Sequence, residues 1–369
     1  MPAAARCPPR GVGRAVTRPG RALLLSPAVG SRAAPPTVGG CPCDSGSSRS
    51  FNPSDLLRHA AQDAASPRRD RSATGRSTCA STSLAGHSCA SRAVRASAPR
   101  FPPALLIGGA FQRKESWGRC EEVLLRSMDV FTVDPPGWGA ADMLPETYGG
   151  DFLADAVCHM LDEWGAGQVN VLAGSYGSAI AYEIARRHPD RVGRMVLVGT
   201  MTAIPDHAQA AMRRTLEHLA AGDMETYARV TVDLLMTPER LADIPNGARV
   251  RRLLLRRISN LSEAEAHQMR TNTLRLLTHQ ALDTSRPPRP PVLTVAGEYD
   301  SFTTPELCRQ MAAACADSWH AEVRDADHMV ILERTAEVAD LARRFLAGEA
   351  LHGLPYCRSI ERVSPGGTG

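Results

Sequence analysis

From residue 104 onward the apolar positions fall into two alternating patterns. Short runs of consecutive small or branched apolar residues, at 104–108, 130–134, 169–173, 195–199 and 292–296, read as strands covered on both faces. Between them, apolar residues recur every three or four positions. This spacing predicts helices over 117–125, over 151–164 and from Ser178 onward. In the second, Phe152, Ala156, Met160 and Trp164 form one stripe, with Gly165 beyond the end. In the third, Ile180 and Ile184 face one way. Buried strands alternating with amphipathic helices predict an α/β fold, a mostly parallel sheet covered by helices on both faces.

The alternation stops at Thr200. Residues 203–285 contain no buried-strand run and carry four helical patterns instead, at 207–221, 223–236, 250–258 and 262–278. The last opens with a capping box, Ser262 and Glu265. The link RPPRPP at 286–291 is stiff and extended. Beyond it the alternation resumes with the strand at 292–296, a helix from Thr304 and Pro305, a strand at 322–324 and a final helix near 335–346. The expected organisation is a core of residues 77–202 and 286–346, a helical lid at 203–285 and a flexible tail at 347–369.

Composition changes the picture mainly at the N-terminus. The chain has 369 residues and is 43% hydrophobic, enough for a sizeable core. Its first hundred residues hold 15 arginines, no lysine, four aspartates and no glutamate, while the remainder carries an acidic excess. Residues 1–76 are rich in Ala, Arg, Pro, Ser and Gly, and Phe51 is their one aromatic. Such a segment cannot bury enough apolar area to offset its ordering entropy. It reads as disordered or artefactual, in preference to the organellar transit peptide that an Arg-rich, acid-poor composition also suggests. Five of the ten cysteines lie in the first hundred residues, and the others stand at no metal-ligand spacing. This usage suits reduced thiols of a cytoplasmic protein. No apolar run approaches the length of a membrane span. No metal cluster, Gly-rich phosphate loop or nucleic-acid motif is present, so neither a cofactor nor a nucleic-acid partner is expected. Oligomeric state is not read from the pattern.

The candidate chemistry lies at the end of the run 169–173, where Ala173-Gly174-Ser175-Tyr176-Gly177 leads into a helix. A serine between a buried strand and a helix is a nucleophile-elbow arrangement, and its turn demands tiny residues two before and two after the serine. Ala173 and Gly177 meet that demand. A serine hydroxyl needs a base and an orienting acid to attack a carbonyl at neutral pH. Asp300 stands just past the strand 292–296, and His328 follows the next strand, in the order serine, acid, histidine. Both lie where open α/β sheets place their sites.

With these residues the sequence resembles the α/β-hydrolase superfamily, in particular its lidded esterase, thioesterase and haloperoxidase-like group, over about residues 101–346. That family's oxyanion strand usually ends His-Gly-x, with a Trp nine residues after the His. Gly108-Gly109-Ala110 and Trp117 match, with Gly108 in place of the histidine. The loop Asp134-Pro135-Pro136-Gly137-Trp138-Gly139 resembles the family's Asp-x-Pro-Gly-x-Gly. The resemblance implies an α/β-hydrolase fold with a helical lid insert, and Ser175, Asp300 and His328 as the triad. It further implies an oxyanion hole of the Ala110 and Tyr176 N–H groups. Members with an aspartate nucleophile are disfavoured by Ser175. The family precedes its oxyanion strand with an antiparallel pair. Only residues 77–98 are available for that pair, and their small polar composition predicts a badly formed edge. Phe111, Trp117, Trp138, Tyr176 and Phe302 are candidates to line the substrate pocket, joined from the lid by Met201, Met236 and Met269.

The expected activity is that of a serine hydrolase on a small-molecule ester or thioester. The alternatives are the same triad used for haloperoxidase, C–C hydrolase or lyase chemistry, and a non-catalytic binding relative. Deleting residues 1–76 is expected to leave Tm and turnover almost unchanged; a fall of many degrees would show that the segment packs on the core.

Overall fold

Every second residue of a strand faces the same side, and the two sides of each run here are equally apolar. Leu105, Ile107, Val171, Ala173 and Leu197 join one buried cluster, whereas Ala104, Leu106, Leu172, Val196 and Val198 join another. Such strands are stable only between two layers. The computed structural model, which describes residues 77–279 and 281–364, places them at the centre of one nine-stranded sheet. Its strands are β1 (Ser77–Leu84), β2 (His87–Val94), β3 (Ala104–Ile107), β4 (Val130–Asp134), β5 (Val169–Gly174), β6 (Val192–Val198), β7 (Val292–Gly297), β8 (Ser318–Val323) and β9 (Cys357–Val363). The order is β1-β2-β4-β3-β5-β6-β7-β8-β9. Strands β3 to β8 run parallel; β1, β2 and β9 are antiparallel to their neighbours.

Ten α-helices follow in chain order among the described residues: α1 (Gly118–Leu124), α2 (Gly150–Glu163), α3 (Tyr176–Arg187), α4 (Asp206–Ala220), α5 (Met224–Leu235), α6 (Gly247–Ser259), α7 (Glu263–Thr278), α8 (Pro305–Ala313), α9 (Val330–Glu333) and α10 (Thr335–Leu346). Leu153, Val157 and Leu161 of α2, Ile180 and Ile184 of α3 and Met311 of α8 cover one sheet face. Cys120 and Leu124 of α1 with Val338, Leu341 and Phe345 of α10 cover the other. Each fully buried Leu, Val or Phe contributes about 1.5–3 kcal/mol relative to exposure.

Two edges differ from expectation. Residues 77–98, expected to form a poor edge, make the regular hairpin β1–β2, paired residue for residue from Ser77↔Val94 to Leu84↔His87. The two-residue turn Ala85-Gly86 has positive φ at both positions, 49° and 84°, the twist that suits a tight hairpin. The backbone ladder and the small inward residues Cys89 and Ala93 replace the bulky side chains a strand usually shows. Trp164 adds a hydrogen bond from Nε1 to Ser91 Oγ at 2.9 Å. At the opposite edge, 357–363 of the tail expected to be flexible is β9, paired with β8. Cys357 and Val363 are buried, and Arg309–Glu361 and Arg362–Asp317 ion pairs tie β9 to its surroundings. Strand β8 starts four residues before the predicted 322–324, because it buries polar side chains: His320 Nδ1 lies 3.0 Å from Thr294 Oγ1 on β7. Residues 1–76 and 365–369 lie outside the described residues.

Between β6 and β7 the chain leaves the sheet for α4–α7. The insert has its own apolar centre, with Tyr227, Val232, Met236, Val250, Leu254 and Ile258. A bridge between Ala203 and Ala281 clasps its base. Its last helix is fixed to the core by polar groups. Arg275, 1% exposed, donates to the Leu144 and Pro145 carbonyls, and Asn272 Nδ2 donates to Gly137 O at 2.9 Å.

Deleting residues 357–369 removes an edge strand with its buried residues. It is expected to lower Tm by about 10 °C in thermal unfolding; an unchanged Tm would mean that β9 does not stabilise the sheet.

Candidate active site

Strand β5 ends at Gly174, and α3 begins at Tyr176, leaving one residue to reverse the chain. That residue is Ser175, with φ 48° and ψ −118°. A non-glycine residue held there costs roughly 1–3 kcal/mol, which the surroundings must offset. Ser175 N donates to Val198 O at 2.7 Å, and Ser178 Oγ donates to Ala173 O at 3.2 Å. The turn presses against β3: a Cβ on Gly177 would sit 2.4 Å from Ile107 O. A Cβ on Gly109 would approach Gly174 O and Ser175 Cβ at 3.2 Å each.

The loops after β7 and β8 bring the other two residues to the serine. His328 Nε2 lies 3.1 Å from Ser175 Oγ, and His328 Nδ1 lies 3.0 Å from Asp300 Oδ2. The Asp300 carboxylate also accepts the N–H groups of Phe302 and Thr303 on Oδ1, at 3.0 and 2.7 Å. Gly199, at φ +62°, leaves room for the imidazole, since a Cβ there would lie 2.9 Å from His328 Cε1.

Behind the histidine is a second carboxylate pair. Asp327 Oδ1 accepts the His328 N–H at 2.8 Å, and its Oδ2 accepts Thr237 N–H from the insert at 2.6 Å. Glu333 Oε2 accepts the Asp327 N–H at 2.7 Å. Burial, with the charges of Asp327 and Asp300, pushes the Glu333 carboxyl up to about 8, so it is protonated at neutral pH. For His328, burial is the largest influence and pulls its pKa down. The Asp300 carboxylate and its hydrogen bond outweigh it, and the net value lies above the ordinary 6.5.

Ser175 and His328 open into a cavity of about 130 Å³. The sheet side supplies Ala110, Phe111, Gln112 and Tyr176; the insert supplies side chains from α4, α5 and α7. Of the predicted pocket residues, Phe111, Tyr176 and Phe302 line it. Trp117 does not: it is 1% exposed and packs with Cys120 and Leu124, because the helix it introduces turns it into the core. Trp138 stands one layer back, edge-on to Tyr176 at 4.9 Å, with Nε1 donating to Gly109 O at 3.3 Å. It borders a smaller crevice beside the cavity, as does Met269. Met236 is in the centre of the insert, and Met201 packs at its base; neither borders the cavity.

Several residues at the site were not singled out in the sequence. Thr303 Oγ1 lies 2.6 Å from Asp300 Oδ2 and 2.9 Å from His328 Nδ1. Its signal was the Asp-x-x-Thr spacing of a local side-chain turn. Gln112 Oε1 accepts the Gly109 N–H at 2.9 Å and packs over Gly108, where a Cβ would meet Gln112 Cβ at 2.7 Å. A glycine in place of the histidine therefore fits this loop. Asp327, Glu333 and Thr237 gave no signal, because their roles depend on contacts between distant segments. Among the described residues, no group of three or more His, Cys, Asp or Glu is arranged to hold a metal ion.

A family model described as alpha/beta hydrolase fold matches residues 102–335. The chain is 24% identical over 255 residues to the biotin biosynthesis bifunctional protein BioHC of Teredinibacter turnerae, covering 64% of this chain and 43% of that protein. It is 27% identical over 252 residues to a pimeloyl-[acyl-carrier protein] methyl ester esterase of Neisseria meningitidis, covering 62% of this chain and 74% of that one. Among solved structures, MGS-M2, an alpha/beta hydrolase enzyme from a deep-sea metagenome library, superposes with a TM-score of 0.65 at 16% identity. That superposition covers 75% of this chain and all of MGS-M2.

The His328 titration is a direct test of the geometry. Its imidazole is expected to titrate by NMR with a midpoint above 6.5. Asp300→Asn is expected to lower the midpoint, since the counter-charge goes while burial stays. The raised value also means that the Asp300–His328 coupling contributes stability below the unfolded pKa, lost as pH rises through the folded one. A midpoint indifferent to Asp300→Asn would show that the pair is not coupled.

Proposed function

The chain belongs to the alpha/beta hydrolase family, and we propose that it is a serine hydrolase cleaving a carboxylic ester or thioester of a small organic substrate through an acyl-enzyme. The observation that carries this reading is the continuous hydrogen-bonded line Ser175–His328–Asp300, at 3.1 and 3.0 Å, opening into a mostly apolar cavity.

In this reading His328 Nε2 takes the Ser175 proton as Oγ attacks the acyl carbon, while Asp300 holds the ring and stabilises the imidazolium. The carbonyl electrons move onto oxygen. The N–H groups of Ala110 and Tyr176 receive that oxyanion. Tyr176 suits the task because it is the first residue of α3, so its N–H lies ahead of the intrahelical ladder and at the positive end of the helix dipole. Each such donor contributes about 3–4 kcal/mol to the transition state. Collapse expels the alkoxide or thiolate, which leaves with the proton from His328. Water, activated by the same nitrogen, then attacks the acyl-enzyme and releases the acid and free Ser175.

The insert acts as the lid of this site. Its side chains roof the cavity, keep bulk water from the oxyanion and shape the acyl pocket. The seven described cysteines are all unpaired, which supports a cytoplasmic setting. No helix among the described residues is long and apolar enough to cross a membrane.

Ser175→Ala is expected to lower kcat/KM on a p-nitrophenyl ester by about 10⁴-fold or more, with Tm nearly unchanged. His328→Ala should fall by a similar factor, because the residues act as a unit, and Asp300→Asn by less. A fluorophosphonate probe should label the parent protein and not Ser175→Ala. Near-parental turnover or labelling in Ser175→Ala would sink the assignment.

A further inference from the structure

The roof of the cavity is apolar except for hydroxyls. Met212, Leu234, Leu235 and Leu276 supply hydrocarbon, and none of the lining residues is Asp, Glu, Lys or Arg. Two of the hydroxyls are already occupied within their own helices. Thr215 Oγ1 donates to Met212 O at 2.7 Å, and Thr273 Oγ1 donates to Met269 O at 2.8 Å. Such back-bonding is how a helical threonine commonly hides its hydroxyl in apolar surroundings.

Thr231 on α5 is different. It lines the cavity and is 7% exposed, yet its Oγ1 makes no well-formed hydrogen bond and has only a loose contact with the Tyr227 hydroxyl to set beside it. One turn earlier on the same helix is Tyr227, 2% exposed and also lining the cavity, with its hydroxyl close enough to interact with that of Thr231. A buried hydroxyl so poorly satisfied destabilises the fold, and valine would fill the same volume without that cost. Both residues line the cavity that also holds the proposed nucleophile, with the Thr231 oxygen set into its wall.

We propose that Thr231 and Tyr227 form a polar subsite in the insert that takes an uncharged oxygen, a ketone or hydroxyl, carried on the acyl chain beyond the scissile carbonyl. Both hydroxyls can donate to such an oxygen and accept from a hydroxyl proton. A carboxylate is the wrong occupant, because neither Lys nor Arg lines the cavity to offset its desolvation, and His328 is already paired with Asp300. Plain alkyl chains fill the cavity but give the Thr231 and Tyr227 hydroxyls no further partner. This inference deepens the serine-hydrolase reading and rests on it for the placement of the acyl group.

The test uses the full chain and matched p-nitrophenyl esters: pentanoate, hexanoate and heptanoate, each against its 4-oxo, 5-oxo or 6-oxo counterpart. At one of these positions the parent protein should favour the oxo ester over the alkanoate in kcat/KM. Thr231→Val and Tyr227→Phe should each lower that ratio about three- to tenfold, and Thr231→Ser should restore most of it. A water-filled pocket with no role in recognition would leave the ratio constant within a factor of two in all three variants, which overturns the proposal. So does the absence of an oxo preference at every position.

Binding of the matched ethyl esters to Ser175→Ala by calorimetry separates this proposal from the reading beneath it. If no ester is hydrolysed but Thr231→Val still selectively weakens the oxo ester, the subsite stands and the hydrolase reading falls. If esters are hydrolysed but binding and ratio ignore Thr231, the subsite falls alone.

Discussion

The site depends on one close approach, the contact between the turn after β5 and the end of β3. A Cβ at Gly177 would collide with both the Ile107 and Gly108 carbonyl oxygens, at 2.4 and 2.7 Å. Because that space is empty of side chain, α3 starts against the sheet, and Ser175 is forced to positive φ with its hydroxyl lifted from the strand ends. The same contact sets the loop after β3 beside the serine, so that Ala110 and Tyr176 border one cavity. Backbone strain at Ser175 is offset by the hydrogen bonds from its own N–H to Val198 and from Ser178 to Ala173.

Polar bonds, rather than apolar contact alone, hold the insert over this turn. Arg275 and Asn272 on α7 are buried and bond the carbonyls of the loop that follows β4. On the other side Thr237 donates its N–H to Asp327, and its hydroxyl approaches Tyr299 O and Ser301 Oγ. The loops carrying Asp300 and His328 are thus tied to the insert through one residue. Hydrogen bonds of this kind are directional, so they fix where the insert stands on the core.

Electrostatics around His328 has a graded character. Three carboxyls, of Asp300, Asp327 and Glu333, surround a single buried imidazole. Burial would neutralise the ring, yet the nearest carboxylate prevails and favours the imidazolium. Glu333, which bonds the Asp327 N–H, takes up a proton instead and spares the site an extra buried charge. Thr303 adds a hydroxyl between the acid and the base, so the Asp300 carboxylate has a hydrogen-bond partner on both oxygens.

The sequence by itself determined the layered α/β core, the insert between β6 and β7, and the elbow with its acid and histidine. These are local: uninterrupted apolar runs specify doubly covered strands, and a serine flanked by tiny residues specifies a tight turn. Tertiary structure alone decided the edges and the pocket. The hairpin β1–β2 and the strand β9 are weak as isolated sequences and gain their order from ladders to β4 and β8. Trp117 and Trp138 read as pocket aromatics, but helix direction sends one into the core and the other behind Tyr176. Thr231, Thr237, Asp327 and Glu333 carry no motif. Their parts arise from segments far apart in the chain meeting in space, and spacing along a sequence does not encode such meetings.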